Sequence, residues 1–312
     1  MNILYITSGQ EDYQSDMLFH GLNELASVTI YTNKDLWYMF AGNEPVKTAN
    51  LYGKGFSLYN RIKKNKNVET PAIIEDKIKS KFYDCVIYGS IHHNSEYLDI
   101  VLLTYPKQKI IFIDGEDYDF SLIWCIYPNW KQIKNYWSHR KKYEKAIYLS
   151  KRGFYFKREL RDCDRRYFLP ISFAIPTENI IAYSFPDKQR EQAFIVPGDL
   201  STYIYDREKD YYDGYAISRY AITIKKSGWD CLRHYEILAN RCIPYFPGIE
   251  KCPMHTMHFF PKTLITETNK LIEAHQLNES VAEYYNELLY NVTKDRLTTK
   301  KLAEYILSFI AT

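Results

Sequence analysis

The chain is 312 residues long, with 41 Lys+Arg against 38 Asp+Glu and a formal net charge of +3. That length predicts two domains. A hydrophobic fraction of 46% and a charged fraction of 25% exclude a mainly disordered chain. No window approaches the ~18 uninterrupted apolar residues of a membrane span.

The first residues, Met1 to Ser8, carry no basic leader and no cleavage pattern. They read as a strand, and the protein as cytoplasmic. Asp16 to Leu25 has helical spacing, and Val28 to Tyr31 is a second strand. Ile73 to Lys81 reads as a polar helix, Tyr83 to Ser90 as a buried strand, and Leu98 to Leu103 as a helix end. Lys109 to Gly115 is another strand. Strands alternating with helices predict an α/β fold with a parallel sheet. Residues 131–166 break the pattern, with 13 Lys+Arg and 4 Asp+Glu. The first domain is placed at 1–168 and the second at 169–312. The second domain repeats the logic: strands over Ala193 to Gly198, Tyr220 to Ile224 and Ile243 to Phe246, and a further one over Thr263 to Ile265. Helices are expected over Asp230 to Asn240, 280–290 and 298–310.

Six cysteines, Cys85, Cys125, Cys163, Cys231, Cys242 and Cys252, lie far apart with no Cys-x-x-Cys pair. That argues against zinc and for reduced thiols. The 30 tyrosines reflect composition bias, yet they supply flat hydrogen-bonding walls for sugars and bases.

The densest signal runs from Lys225 to Pro244. A strand ends, Gly228 permits a tight loop, and a helix starts. Ligands of open α/β sheets bind at the carboxyl ends of strands, and a helix N-terminus favours anions. Lys225 and Lys226 add cations. Arg233 and Glu236, three residues apart, share a helix face. A carboxylate there can accept both ribose hydroxyls, while Arg and Lys take phosphates. The alternative is an ordinary surface ion pair. Thr202, after the strand ending at Pro197-Gly198, is a further phosphate candidate, or part of a turn before a helix through Tyr211, Tyr212 and Tyr215.

Arg233-His234-Tyr235-Glu236-Ile237-Leu238-Ala239-Asn240-Arg241-Cys242-Ile243-Pro244 resembles the donor-binding segment of GT-B glycosyltransferases, most closely the exostosin-like and family 1-type donor domains. Asn240-Arg241 stands where such segments often carry Gly. The resemblance implies two Rossmann-like domains facing a cleft, with C-terminal helices packing back toward the first. It implies Glu236 on the ribose, and Arg233 and Lys226 on the diphosphate of a nucleotide sugar, UDP-sugar foremost.

The first domain is then expected to hold the acceptor and a base. Asp114 and Glu116, with Asp117 and Asp119, crowd a strand end, and their repulsion predicts a raised pKa. Asp117-Tyr118-Asp119 also matches the Asp-x-Asp of metal-dependent GT-A enzymes, a minority reading. His92 and His93 follow the strand ending at Gly89-Ser90, and His92 joins the catalytic candidates. His20, Lys157 and Arg158 are candidate acceptor or phosphate contacts. The expected function is transfer of a sugar to an acceptor hydroxyl with no obligatory metal or other cofactor. The acceptor is a glycan or, alternatively, hydroxymethylcytosine in DNA, which the basic segment would suit. A different class, a non-catalytic nucleotide- or sugar-binding protein, would keep Lys226, Arg233 and Glu236 without a base.

Overall fold

The computed structural model describes residues 1–43, 49–64, 66–120, 130–181 and 188–310, with side chains in 130–150 described from 137 onward. Cys125 lies outside the described residues, as do the side chains of Lys131 and Lys134 in the basic segment.

The first half is a parallel βα series. Strand β1 (Asn2–Ile6) is followed by α1 (Tyr13–Glu24), β2 (Thr29–Thr32), α2 (Pro71–Lys79), β3 (Cys85–Tyr88), α3 (Leu98–Thr104) and β4 (Ile110–Asp114). Then come α4 (Trp130–Ser150), β5 (Phe154–Lys157) and β6 (Leu169–Pro170). The strands lie in the order β2-β1-β3-β4-β5-β6, each pair parallel. Strand periodicity sorts the core. Ile3, Tyr5, Ile111, Ile113 and Phe156 face the side that carries α1. Leu4, Ile6, Ile110, Phe112 and Tyr155 face the side that carries α2, α3 and α4.

The second half contains β7 (Arg190–Gln192), α5 (Glu208–Ala216), β8 (Ser218–Ile222), α6 (Leu232–Ala239) and β9 (Ile243–Tyr245), then α7 (Lys262–Glu273), α8 (Glu279–Arg296) and α9 (Thr299–Ser308). Its sheet is parallel, in the order β7-β8-β9. Helix α9 returns to the first half and packs along α1. The approach is so close that a Cβ built on Gly21 would lie 1.8 Å from the Thr299 carbonyl oxygen.

Three expectations need correction. The basic segment does not break the βα pattern: it forms α4 and β5, and the first sheet continues through Pro170, paired with Lys157. Thr263 to Ile265 is not a strand but the first turn of α7, because Ile265, Thr268 and Asn269 recur at helical spacing and are buried together. The strand expected over Ala193 to Gly198 lies three residues earlier. Val196 N–H is taken by Thr202 Oγ1 at 3.0 Å instead of by a strand, and Pro197 has no N–H to give.

Candidate functional site

A cavity of about 280 Å³ opens between the two halves. Tyr13, Gly53, Lys54 and Phe56 line it from the first; Ile195, Tyr203, Tyr205, Tyr211, Lys226, Cys231, Leu232, Arg233 and Glu236 line it from the second. The loop after β8 and the start of α6 thus bring together three predicted donor-site residues, Lys226, Arg233 and Glu236. Cys231 at the α6 N-cap makes no side-chain capping bond. The uncapped first turn therefore meets the cavity with its N–H donors and positive dipole end. His234 anchors this loop. It is buried, its pKa lowered to about 3 by that burial, and its Nε2 donates to the Trp229 carbonyl at 2.9 Å. Nδ1 then accepts from the Thr223 hydroxyl at 2.8 Å.

Glu236 is 6% exposed, and burial raises its pKa. Ser57 Oγ donates to Oε1 and Tyr211 OH donates to Oε2 at 2.5 Å. Arg233 is no surface ion-pair partner of Glu236. Its NH2 donates to Tyr203 OH at 2.8 Å, its plane lies over the Tyr203 ring at 5.3 Å, and its Nε is buried without a hydrogen-bond partner. Lys226 is exposed, and its amine makes no ion pair among the described residues. Lys225 lies over the Trp229 ring at 4.9 Å. Gly228 is a packing position: a Cβ there would lie 2.5 Å from Glu159 Oε1 and 3.2 Å from Asp117 Oδ1.

Other predicted residues are turned inward. Thr202 Oγ1 closes its own turn on the Asp199 carbonyl at 2.7 Å and does not line the cavity. His20 is 3% exposed and bonds Thr299 Oγ1 at 2.9 Å, with Glu178 at 3.3 Å. It joins α1 to α9. Lys157 is fully buried against Asp114 Oδ1 at 3.0 Å. Arg158, also buried, donates to the Gly115 carbonyl at 2.9 Å and the Asp230 carbonyl at 2.8 Å, and pairs with Asp117. In this structure both cations hold the interior together instead of facing a phosphate.

At the acidic strand end, Asp114 and Glu116 are lowered instead of raised. Asp114 is wholly buried, and burial alone would raise its pKa. Lys157 and His92 outweigh burial and hold it well below the usual carboxylate range. His92 Nε2 lies 3.0 Å from Asp114 Oδ2, and Tyr155 OH donates to the same oxygen at 2.9 Å. Asp114, Tyr155 and Lys157 face the α2–α4 side of the sheet, away from the cavity. Glu116 is lowered by His93, whose Nε2 lies 3.0 Å from its Oε1.

A second hollow was not legible in the sequence. An open groove of about 850 Å³ is lined by Ser8, Gln10, Glu11, Lys34, Tyr52, His93, Asn94, Ser95 and Glu96. It sits over the carboxyl ends of β1 and β3. There the strand order reverses direction, the switch point where open α/β sheets bind ligands. His93 bridges Asp12 Oδ2 at 3.2 Å and Glu116, and those two bonds push its pKa up to about 10. Glu96 pairs with Lys34 at 3.1 Å. Glu11 makes no ion pair or side-chain hydrogen bond among the described residues. The groove and the cavity share a wall, because Tyr52 of the groove packs on Tyr13 of the cavity with ring centroids 5.4 Å apart.

Among the described residues no three His, Cys, Asp or Glu side chains group as metal ligands. No helix among them is long and apolar enough to cross a membrane. No family model matches the chain, and no curated protein does. Among solved structures, the chain is similar to Anabaena Alr3699/HepE, crystallised in complex with UDP-glucose. The identity is 8% and the TM-score 0.44, over 100% of this chain and 99% of that one.

Proposed function

We propose that the protein is a glycosyltransferase of two-domain, GT-B-like architecture acting in the cytoplasm, with the domain boundary after Pro170, the last residue of the first sheet, instead of at 168. One observation carries this reading. Lys226, Arg233, a buried carboxylate and an uncapped helix start meet in one inter-half cavity walled by tyrosines. That set suits a nucleoside diphosphate: cations and N–H groups for the phosphates, Glu236 for the ribose hydroxyls. A UDP-sugar leads the candidate donors.

The adjoining groove takes the acceptor in this proposal, and Glu11 is the base. It replaces Asp114, Glu116 and His92 in that role, because those three are committed to internal pairs. Glu11 takes the proton of an acceptor hydroxyl, the oxygen bonds to the sugar's anomeric carbon, and the carbon–phosphate oxygen bond breaks. Lys226, Arg233 and the α6 N-terminus stabilise the departing diphosphate without an obligatory metal. The acceptor is a saccharide. The exposed Tyr52 ring offers a sugar platform, and Ser8, Gln10, Asn94 and Ser95 offer hydrogen bonds. A DNA duplex fits less well. Lys34 is the groove's single lysine, beside Glu11 and Glu96, and the cations of α4 lie over the other face of the sheet.

Thermal shift against UDP, GDP and ADP tests the donor site, since a ligand of the folded state raises its melting temperature. One diphosphate is expected to stabilise the protein, and Glu236→Ala to erase the effect. Glu11→Gln is expected to keep that shift and lose about 10²-fold or more in transfer rate. Retained turnover removes Glu11 as the base. Binding without any turnover leaves a binding protein.

A further inference from the structure

The stretch from Leu51 to Arg61 crosses from the first half onto the donor residues of the second. Its backbone is unusual: Lys54, Ser57 and Asn60 all have positive φ, at 59°, 67° and 60°. Side-chain-bearing residues avoid that region, and such outliers persist only where surrounding contacts hold them. The contacts are present. Lys54 Nζ donates to the Tyr205 carbonyl at 2.7 Å and pairs with Asp206. Ser57 N–H donates to Glu208 at 2.7 Å, and Arg61 pairs with the same carboxylate. The Ser57 hydroxyl, fully buried, accepts from Tyr212 OH at 2.5 Å and donates to Glu236 Oε1. With Tyr211 on Oε2, each oxygen of the carboxylate assigned to ribose already holds a hydroxyl.

We infer that the Leu51–Arg61 segment is a latch. The Ser57 hydroxyl occupies the place of a ribose hydroxyl on Glu236, and donor binding expels it and releases the strained segment. The inference rests on the donor reading above and adds a regulation to it. A latch lowers apparent affinity in proportion to the fraction of molecules that are open. Removing one charge-assisted hydrogen bond shifts that fraction on the order of tenfold.

Two measurements on the full chain test it. In the first, UDP, GDP and ADP are titrated by calorimetry into the wild type, Ser57→Ala and Lys54→Ala. Both variants are expected to bind the preferred diphosphate several-fold to about tenfold more tightly. In the second, hydrogen exchange of the wild type is followed with and without that diphosphate. Amides of 51–61 are expected to exchange faster when it is bound. Unchanged or weaker binding by the two variants, or protection of 51–61 by the nucleotide, overturns the latch and leaves the donor site standing. No binding by the wild type or by either opened variant overturns both.

Discussion

Glu11 and His93 line one groove yet differ in what their charges are used for. His93 is clamped between Asp12 and Glu116, while Glu11 is left available to a ligand. The clamp makes stability depend on pH. The unfolded imidazole titrates near ~6.5, and the folded one near 10, because of those two carboxylates. The His93 contribution is therefore complete below ~6.5 and is lost as pH rises toward about 10. Asp12 and Glu116 are lowered in the folded state. Their contribution is present above the ordinary carboxylate range and is lost as pH falls below it. The melting temperature should decline from pH 6.5 to 10, and His93→Gln should flatten that decline. An unchanged slope in the variant would show that the clamp carries no stability; half-exposure of the ring keeps the effect modest. Residue types alone could not separate such roles. Lys157 and Arg158 were readable as cations near a domain junction. Only the strand register, which sets Lys157 beside Asp114, shows that they neutralise buried acids.

Helix α6 and its loop were legible because several local signals agree there: strand, glycine, helix start and proline-bearing strand fall in sequence. The motif's missing glycine is met by Arg241 itself, which adopts φ 50° and is held by Glu287 at 2.9 Å and the Tyr290 ring at 3.6 Å. The groove was not legible. It depends on where the order of strands reverses, and that is a property of pairing between distant segments. Helix-on-helix approach was hidden for the same reason. Gly21 lies mid-helix, where glycine is otherwise unfavourable by ~1 kcal/mol relative to alanine. Contact with the Thr299 carbonyl reverses that preference. Gly21→Ala should destabilise by about 1–3 kcal/mol, read as a lower midpoint in denaturant with unchanged slope. A stabilised variant would mean that α9 stands off from α1.

The two sheets suggest two folding units, but the core does not divide with them. One buried cluster joins Ile3, Met17 and Phe156 of the first half to Leu232, Tyr235 and Phe246 of the second, and to Leu302 and Ile306 of α9. Among the described residues, the second sheet owns only a small cluster of its own, around Ala193, Tyr215, Ala221, Ile237 and Cys242. Buried polar links cross as well: the Glu159 carboxylate accepts from Asp230 N–H at 3.0 Å, and the Asp230 carbonyl accepts from the Arg158 guanidinium at 2.8 Å. Opening the halves fully would expose apolar area worth ~25 cal/mol per Å² and strand these groups. The chain should therefore unfold in one transition, with calorimetric and van't Hoff enthalpies equal. A fragment ending at Pro170 should fail to fold alone, since it bares the α1 face that α9 covers. Two resolved transitions, or a folded fragment, would show that the halves are independent. Motion at the donor cavity would then be a hinge between domains, not the release of one segment within a continuous core.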